Sequence, residues 1–253
     1  MRDNTLETQL TKELGTSRRG EVHAFQEISS TMDVAHTLAA QDANEGTLVW
    51  ALAQTKGRGR LGRVWKSPEG GVYLSLIVRP KRALEEVPQL SLIAGLALAE
   101  AVKASTGLLT SLRWPNDLLL NGKKLAGILT ESRNGAVVIG LGINVTTEPA
   151  QLPDTATSLQ VSGAACDSCR LTGALYSRFF AWYDEWTKQG FAAIRPALRP
   201  WIGLFGQPVH ISAGSQDVEG TAQELDEQGK LVVRLDSGVL RAFEVGEVTL
   251  LRQ

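Results

Sequence analysis

The chain has 253 residues, 43% of them hydrophobic, with 26 Lys and Arg against 27 Asp and Glu and a formal net charge of -1. That size and apolar content suit one sizeable domain, or one domain plus a small appendage, and exclude a disordered chain. The near-neutral balance lacks the positive excess of a dedicated nucleic-acid binder, so any basic cluster is a local feature.

The two cysteines are Cys166 and Cys169, and the start, MRDNTLETQLTKEL, has no apolar stretch that could act as a secretory signal. A reduced, cytoplasmic protein is the simplest expectation. The longest apolar run, PQLSLIAGLALAEAV from Pro88, is interrupted by Glu100 and falls short of the roughly 20 residues of a membrane span, so it reads as a buried helix.

Residues 1–20 form an N-terminal extension. From about residue 20 strand-like and helix-like pieces alternate without an internal repeat, giving an α+β fold with a mixed sheet packed by helices. Ser30-Thr31-Met32-Asp33 has the spacing of a capping box, and Val34, Ala35, Leu38 and Ala39 follow at helical spacing. TLVWALAQ (47–54) and VYLSLIV (72–78) are rich in strand formers and flank a basic loop. Pro88 and Gly107 frame the apolar helix. RWPNDLLLNGKKLAGILTES and AVVIGLGINV read as adjacent strands, with Asn121-Gly122 as a hairpin turn. Leu171, Leu175, Phe179, Trp182 and Trp186 recur every three or four residues, the stripe of a helix packing on the sheet. Beyond residue 204 short β-runs at 209–211, 218–223, 230–235 and 239–245 are separated by Ala213-Gly214-Ser215, Glu227-Gln228-Gly229 and Asp236-Ser237-Gly238, the texture of a small β-barrel.

The basic loop, QTKGRGRLGRVWK (54–66), contains a literal G-x-G-x-x-G in Gly57 to Gly62. A dinucleotide fingerprint opens a helix at its third glycine, whereas this chain runs on through Ser67-Pro68 and Gly70-Gly71 into a strand. No G-x-x-x-x-G-K-[ST] occurs, which excludes a P-loop. The remaining readings are a solvated turn, or a loop whose glycines admit an anion and whose arginines offer forked donors to phosphate or carboxylate. In Arg113-Trp114-Pro115-Asn116-Asp117, Asp117 could ligate Mg²⁺ on a nucleotide and Asn116 a polar ligand edge; an ordinary Asn-Asp turn is the alternative. Adjacent Lys123 and Lys124 point to opposite strand faces, so one can face inward. Gly140 and Gly142 inside an apolar strand imply close approach to the backbone, or a bulge.

Taken in order, SSTMD (29–33), QTKGRGRLGRVW (54–65), GGVYLSL (70–76), RWPNDLLL (113–120), KKLAGIL (123–129) and VVIGLGINV (137–145) resemble the motifs of the biotin protein ligases. The resemblance covers about residues 20–200, and the terminal β-module is similar to the family's small SH3-like domain. It implies a catalytic domain over 21–203, built like the class II synthetases and biotin/lipoate ligases, and an SH3-like domain over 204–253. It also implies joining of biotin to ATP as biotinyl-5′-AMP, then transfer of biotin to one lysine of an apo biotin carboxyl carrier protein, with Mg²⁺ accompanying ATP. Ser30, Thr31, Met32, Gln54, Gly57, Arg58, Gly59, Arg60, Lys124 and Gly127 would contact biotin. Arg58, Arg60, Arg63, Trp65, Asn116, Asp117, Lys124 and Asn144 would contact ATP, with Asp117 as metal ligand and Lys124 and Arg60 as catalytic residues. Pairing of two copies through the central sheet, as in relatives, is left open by the residues.

Three departures from the family pattern stand out. Met32 replaces an Asn of some relatives, Leu61 replaces a basic residue, and Thr146 to Leu159 offers no aromatic cover for adenine. A lipoate ligase is disfavoured because no RRxSGGG-type segment is present. A biotin-responsive repressor is disfavoured because about 20 residues before the catalytic region are too few for a helix-turn-helix module, so no specific DNA binding is expected. Cys166-Asp167-Ser168-Cys169 is a lone CxxC, and His23, His36 and His210 are scattered, so neither a zinc nor a thioredoxin site has its context.

Overall fold

The computed structural model describes residues 2–213, 216–244 and 246–251. The chain runs α1 (Asn4–Leu14), β1 (Val22–Ile28), α2 (Thr31–Ala40), β2 (Leu48–Gln54), β3 (Gly71–Val78), α3 (Gln89–Thr106), β4 (Ser111–Arg113) and β5 (Asp117–Leu120). It continues through β6 (Lys123–Arg133), β7 (Ala136–Asn144), α4 (Ser168–Gln189) and α5 (Phe191–Leu198). Then come β8 (Pro208–Ala213), β9 (Gln216–Leu225), β10 (Leu231–Arg234), β11 (Leu240–Phe243) and β12 (Glu247–Leu250). Strands β1 to β7 form one sheet in the order β1-β2-β3-β7-β6-β5-β4, with β1 and β2 parallel and the other neighbours antiparallel. The mixed sheet agrees with the α+β expectation.

Both faces of this sheet are covered, which is why β3 is buried at every residue rather than at alternate ones. One face presents Trp50, Leu74, Leu76, Ile139 and Leu141 to the layer of α3 and α4. The opposite face presents Val49, Ile77 and Val138 to Met32, Ala35 and Ala39 of α2. Burying each such aliphatic or aromatic side chain contributes about 1.5–3 kcal/mol relative to exposing it. Pro88 and Gly107 cap α3 as expected, and most of the helix is buried. The span Leu84–Thr106 is nevertheless long and apolar enough to cross a membrane by length and composition. Burial in this core, and not length, gives it its role. The stripe on α4 is core as read, with Leu171, Leu175, Phe179 and Trp186 buried and Trp186 Nε1 donating to Gln89 Oε1 at 2.6 Å.

The N-terminal residues are integrated rather than appended. Asp3 caps α1 by accepting from the Thr5 and Leu6 amides at 2.9 Å, and Leu10 and Leu14 enter the core. Gly173 of α4 is required there, because a Cβ would stand 2.7 Å from Glu13 O. Asn121-Gly122 closes the β5–β6 hairpin with both residues in the left-handed region, φ 51° and 77°. Asn134-Gly135 does the same between β6 and β7, an equivalent signal that the sequence reading passed over.

The C-terminal strands form a five-stranded antiparallel sheet in the order β11-β10-β9-β8-β12. The turns at 227–229 and 236–238 fall as expected, whereas Gly214 and Ser215 of the first turn and Val245 of the last run lie outside the described residues. Strand β12 was not anticipated, because Glu-Val-Thr-Leu is short and half polar. Trp114 Nε1 donates to Gly229 O at 3.1 Å and Gln89 Nε2 to Gln228 O at 3.2 Å, tying this sheet to the larger one.

Candidate functional site

A cavity of about 260 Å³ opens on the α2 face of the large sheet. Its floor is made of strand glycines against which other side chains pack. Along β7, Val138 is followed on this face by Gly140 and Gly142, and in the ladder Gly142 stands opposite Gly127 of β6. A Cβ on Gly140 would lie 3.1 Å from Met32 Cγ, and one on Gly142 would lie 2.6 Å from Trp65 Cε2. The two strand glycines thus answer to close approach rather than to a bulge.

At one end of the cavity, α2 begins without the expected capping box. Ser30 is the N-cap residue, but its side chain makes no capping bond. Gln54 Oε1, from β2, accepts instead from Thr31 N at 2.8 Å and Thr31 Oγ1 at 3.1 Å, satisfying a helix-start donor from across the sheet. Gln54 Nε2 donates to Ser67 Oγ at 2.9 Å, and Ser75 Oγ donates to Thr31 Oγ1 at 2.9 Å. Asp33, the other half of the supposed box, turns outward to Arg58 Nη2 at 3.0 Å. Ser30 Oγ is left buried on the cavity wall without a hydrogen-bond partner. An uncommitted hydroxyl of this kind is costly unless a ligand supplies its partner.

Lys124 marks the other end. In a regular strand Lys124 and Gly127 would face opposite ways, but the β5–β6 register slips between Leu118 and Leu119, leaving Leu125 without an opposite residue. This bulge turns Lys124 onto the face of Gly127, where a Cβ would stand 3.3 Å from Lys124 Cε. Lys124 N donates to Thr155 O and Thr157 N to Lys124 O, which ties the strand start to the segment after β7. Lys124 Nζ lies 2.7 Å from Asp117 Oδ1, while Arg113 Nη2 bonds Asp117 Oδ2 at 2.5 Å. Asn116 Nδ2 donates to Ile128 O, and its Oδ1 accepts from Arg60 Nη1 at 2.9 Å.

The basic loop is a short hairpin of its own, with Gly59 N donating to Arg63 O at 2.7 Å and Trp65 N to Gly57 O at 3.1 Å. Its tip holds Leu61 at φ 55°, an exposed non-glycine residue in the left-handed region, which costs on the order of 1 kcal/mol. The loop joins antiparallel strands β2 and β3, and its third glycine ends a single 3-10 turn over Arg60–Gly62 and opens no α-helix, so the dinucleotide reading fails in structure as in sequence. Its three arginines have different destinations. Arg58 goes to Asp33 and Glu131, Arg60 to Asn116, and Arg63 to Glu247 of β12. Of the three, Arg60 directs its guanidinium to the end of the cavity marked by Lys124. Burial lowers its pKa while the charges of Asp117 and Glu247 oppose the change. Trp65 lies over the glycine floor, with Lys124 Nζ 5.2 Å from its ring centre and its own Nε1 buried and unpartnered.

Of the residues singled out from the sequence, Ser30, Thr31, Met32, Gln54, Arg58, Gly59, Arg60, Arg63, Trp65, Asn116, Asp117, Lys124 and Gly127 line this cavity. Two do not. Gly57 is packed behind the loop, where a Cβ would stand 2.5 Å from Ser67 Oγ. Asn144 is buried and donates to Thr157 O at 3.0 Å, so it braces the strand end beneath Lys124. Sequence reasoning missed Glu131, which pairs with Arg58 outside the cavity lining, and the wall contributed by Glu247, Val248 and Thr249 of β12. Nothing local to those residues signals a site, since their part comes from strands far apart in sequence.

Asp117 fits a cation poorly as a dedicated ligand, because both its oxygens already face Lys124 and Arg113. No group of three or more His, Cys, Asp or Glu among the described residues could hold a metal. Mg²⁺ would therefore be carried on the phosphates of a nucleotide, not in a protein cage. Cys166 and Cys169 are free, and burial raises both thiols, Cys169 to about 11, which argues against a reactive CxxC.

A sequence model of the Biotin/lipoate A/B protein ligase family matches residues 24–147, and one of the Biotin protein ligase C terminal domain matches residues 204–251. The chain is 38% identical over 242 residues to the bifunctional ligase/repressor BirA of Bacillus spizizenii, covering 91% of this chain and 74% of that protein. This chain belongs to the biotin protein ligase family. Its similarity to the biotin–[acetyl-CoA-carboxylase] ligase of Paracoccus denitrificans is 35% identity, covering 78% of this chain and 89% of that enzyme. A biotin protein ligase from Aquifex aeolicus, solved in complex with biotin and ATP, superposes with a TM-score of 0.81 at 30% identity, covering 92% of this chain and 99% of that one. For a biotin protein ligase, the small β-sheet at the C-terminus is a family component that here walls the cavity through β12.

Proposed function

We propose that this protein activates biotin with ATP to biotinyl-5′-AMP, releasing pyrophosphate, and transfers the biotinyl group to one lysine of a biotin carboxyl carrier protein. The observation that carries the residue roles is the polarity of the cavity. An uncommitted hydroxyl and an amide-hydroxyl cluster stand at one end, and an ammonium and a guanidinium stand at the other.

Ser30 Oγ and the Thr31–Gln54 pair serve the polar ureido ring, and Met32 and Trp65, seated on the glycine floor of Gly127, Gly140 and Gly142, line the space for the bicycle and its alkyl chain. Lys124 meets the carboxylate and the α-phosphate. As carboxylate oxygen attacks phosphorus and the bond to pyrophosphate breaks, negative charge grows on the equatorial oxygens, where a fixed ammonium stabilises it. Arg60 closes over the same phosphate and keeps water from the mixed anhydride. Mg²⁺ bound with ATP neutralises the polyphosphate, and Arg113 keeps Asp117 paired when Lys124 turns to the ligand. Once the carrier's lysine amine attacks the acyl carbon, AMP leaves.

We assign catalysis to residues 21–203, with the SH3-like domain over 204–253 supplying the far wall. Incubation with biotin, Mg-ATP and an apo carrier domain should add one biotin mass increment to a single carrier lysine. Absence of that increment with folded protein rejects the proposal.

A further inference from the structure

Resting on the adenylation reading, we propose that Glu131, assisted by Asp33, is a positioning residue that anchors Arg58 and with it the loop that retains the biotinyl-5′-AMP intermediate. Glu131 sits on β6 opposite Val138 of β7, and the ladder with β7 fixes its backbone from that side. Its carboxylate joins the loop and α2 to β6. Arg58 of the loop reaches it through Nη1 and Nη2, each at 3.4 Å, and His36 Nε2 of α2 lies 2.8 Å from Oε2. Asp33 of α2 completes the grip on Arg58 Nη2 at 3.0 Å.

With both terminal nitrogens held by carboxylates, Arg58 is a tether, not the phosphate donor that its place in the motif suggests. Two residues on, Arg60 is then presented toward Asn116. The ion pair on the loop's other limb, Arg63 to Glu247, has side chains 65% and 47% exposed, against 33% and 24% for Arg58 and Glu131. Screening weakens exposed pairs most, so the Glu131 tether dominates.

The experiment uses the full chain carrying Glu131→Gln and compares it with wild type in two assays. One is the dissociation rate of preformed biotinyl-5′-AMP. The other, in the absence of any ligand, is the rate of tryptic cleavage at the basic residues of 56–66. Both rates should rise about three- to fivefold, with ATP–pyrophosphate exchange within about twofold of wild type and an unchanged thermal midpoint. Arg58→Gln should accelerate both rates as well, and adding Glu131→Gln to it should accelerate neither further, which a general structural defect would not reproduce. Wild-type rates in folded Glu131→Gln protein, or additive effects in the double variant, overturn the proposal. Should Glu131→Gln fail to fold, Asp33→Asn at its more exposed site takes its place, with a smaller rise expected and wild-type rates overturning. If wild type forms no adenylate, the adenylation reading itself fails, while the cleavage assay still decides the anchor.

Discussion

Replacing Lys124 by alanine separates the chemistry of this site from its architecture. Lys124 Nζ is 2.7 Å from Asp117 Oδ1, and Asp117 is also held by Arg113, so the substitution leaves no unpaired buried carboxylate. Because the Lys124 side chain is 30% exposed, its ion pair contributes no more than about 1 kcal/mol to stability, and the variant should fold. Catalysis should suffer far more. A preorganised donor aimed at charge that grows in the transition state contributes about 3–4 kcal/mol, or roughly 10²- to 10³-fold in rate. The assay is biotin-dependent exchange of radiolabelled pyrophosphate into ATP, run beside a thermal melt. Lys124→Arg should recover only part of the rate, since a planar fork replaces a compact ammonium above Gly127. Exchange within about tenfold of wild type in a folded Lys124→Ala protein contradicts the reasoning, because so small a loss lies below the range for such a donor.

Arg60→Ala should leave adenylate synthesis measurable but speed its dissociation about 10- to 100-fold, the loss of one charge-assisted hydrogen bond. Wild-type retention of radiolabelled biotin by that variant counts against a closing role. Gly142→Ala drives a methyl into the Trp65 indole, so stability should fall by about 1–3 kcal/mol together with biotin affinity. An unchanged melting midpoint and an unchanged biotin Kd would show that the indole does not rest on this floor. Burial, helped by the charge of Arg2 and opposed by Glu21 and Glu7, holds His23 below the ordinary imidazole value of 6.5. The unfolded chain then takes up the proton more readily than the folded one. Stability should be full above about pH 6.5 and decline as the pH falls below it. His23→Gln should flatten that decline in urea midpoints, and a wild-type midpoint that rises on acidification excludes the assignment.

Much of this protein was legible as sequence because its signals are local. Turn glycines at Asn121-Gly122, the Pro88 and Gly107 helix frame and the α4 stripe each depend on residues within a few positions of one another, and each appeared where read. The ordered motifs likewise placed most of the cavity lining, since the α2 start, the basic loop and short stretches of the large sheet carry all of it but residues 246–249.

Three features were decided only by the tertiary structure. The capping box at Ser30 was displaced because Gln54, 23 residues beyond Thr31 along the chain, supplies a better-placed oxygen to the Thr31 amide and leaves the Ser30 hydroxyl for a ligand. Lys124 joins Gly127 on one face only because the ladder slips at Leu125, which no alternation rule could reveal. The three loop arginines look equivalent in GRGRLGR, yet Arg58, Arg60 and Arg63 are distributed among a carboxylate pair, the cavity and the C-terminal sheet. Residue type determines what a guanidinium can bind. Which anion it meets depends on long-range strand order, and strand order is a property of the whole core.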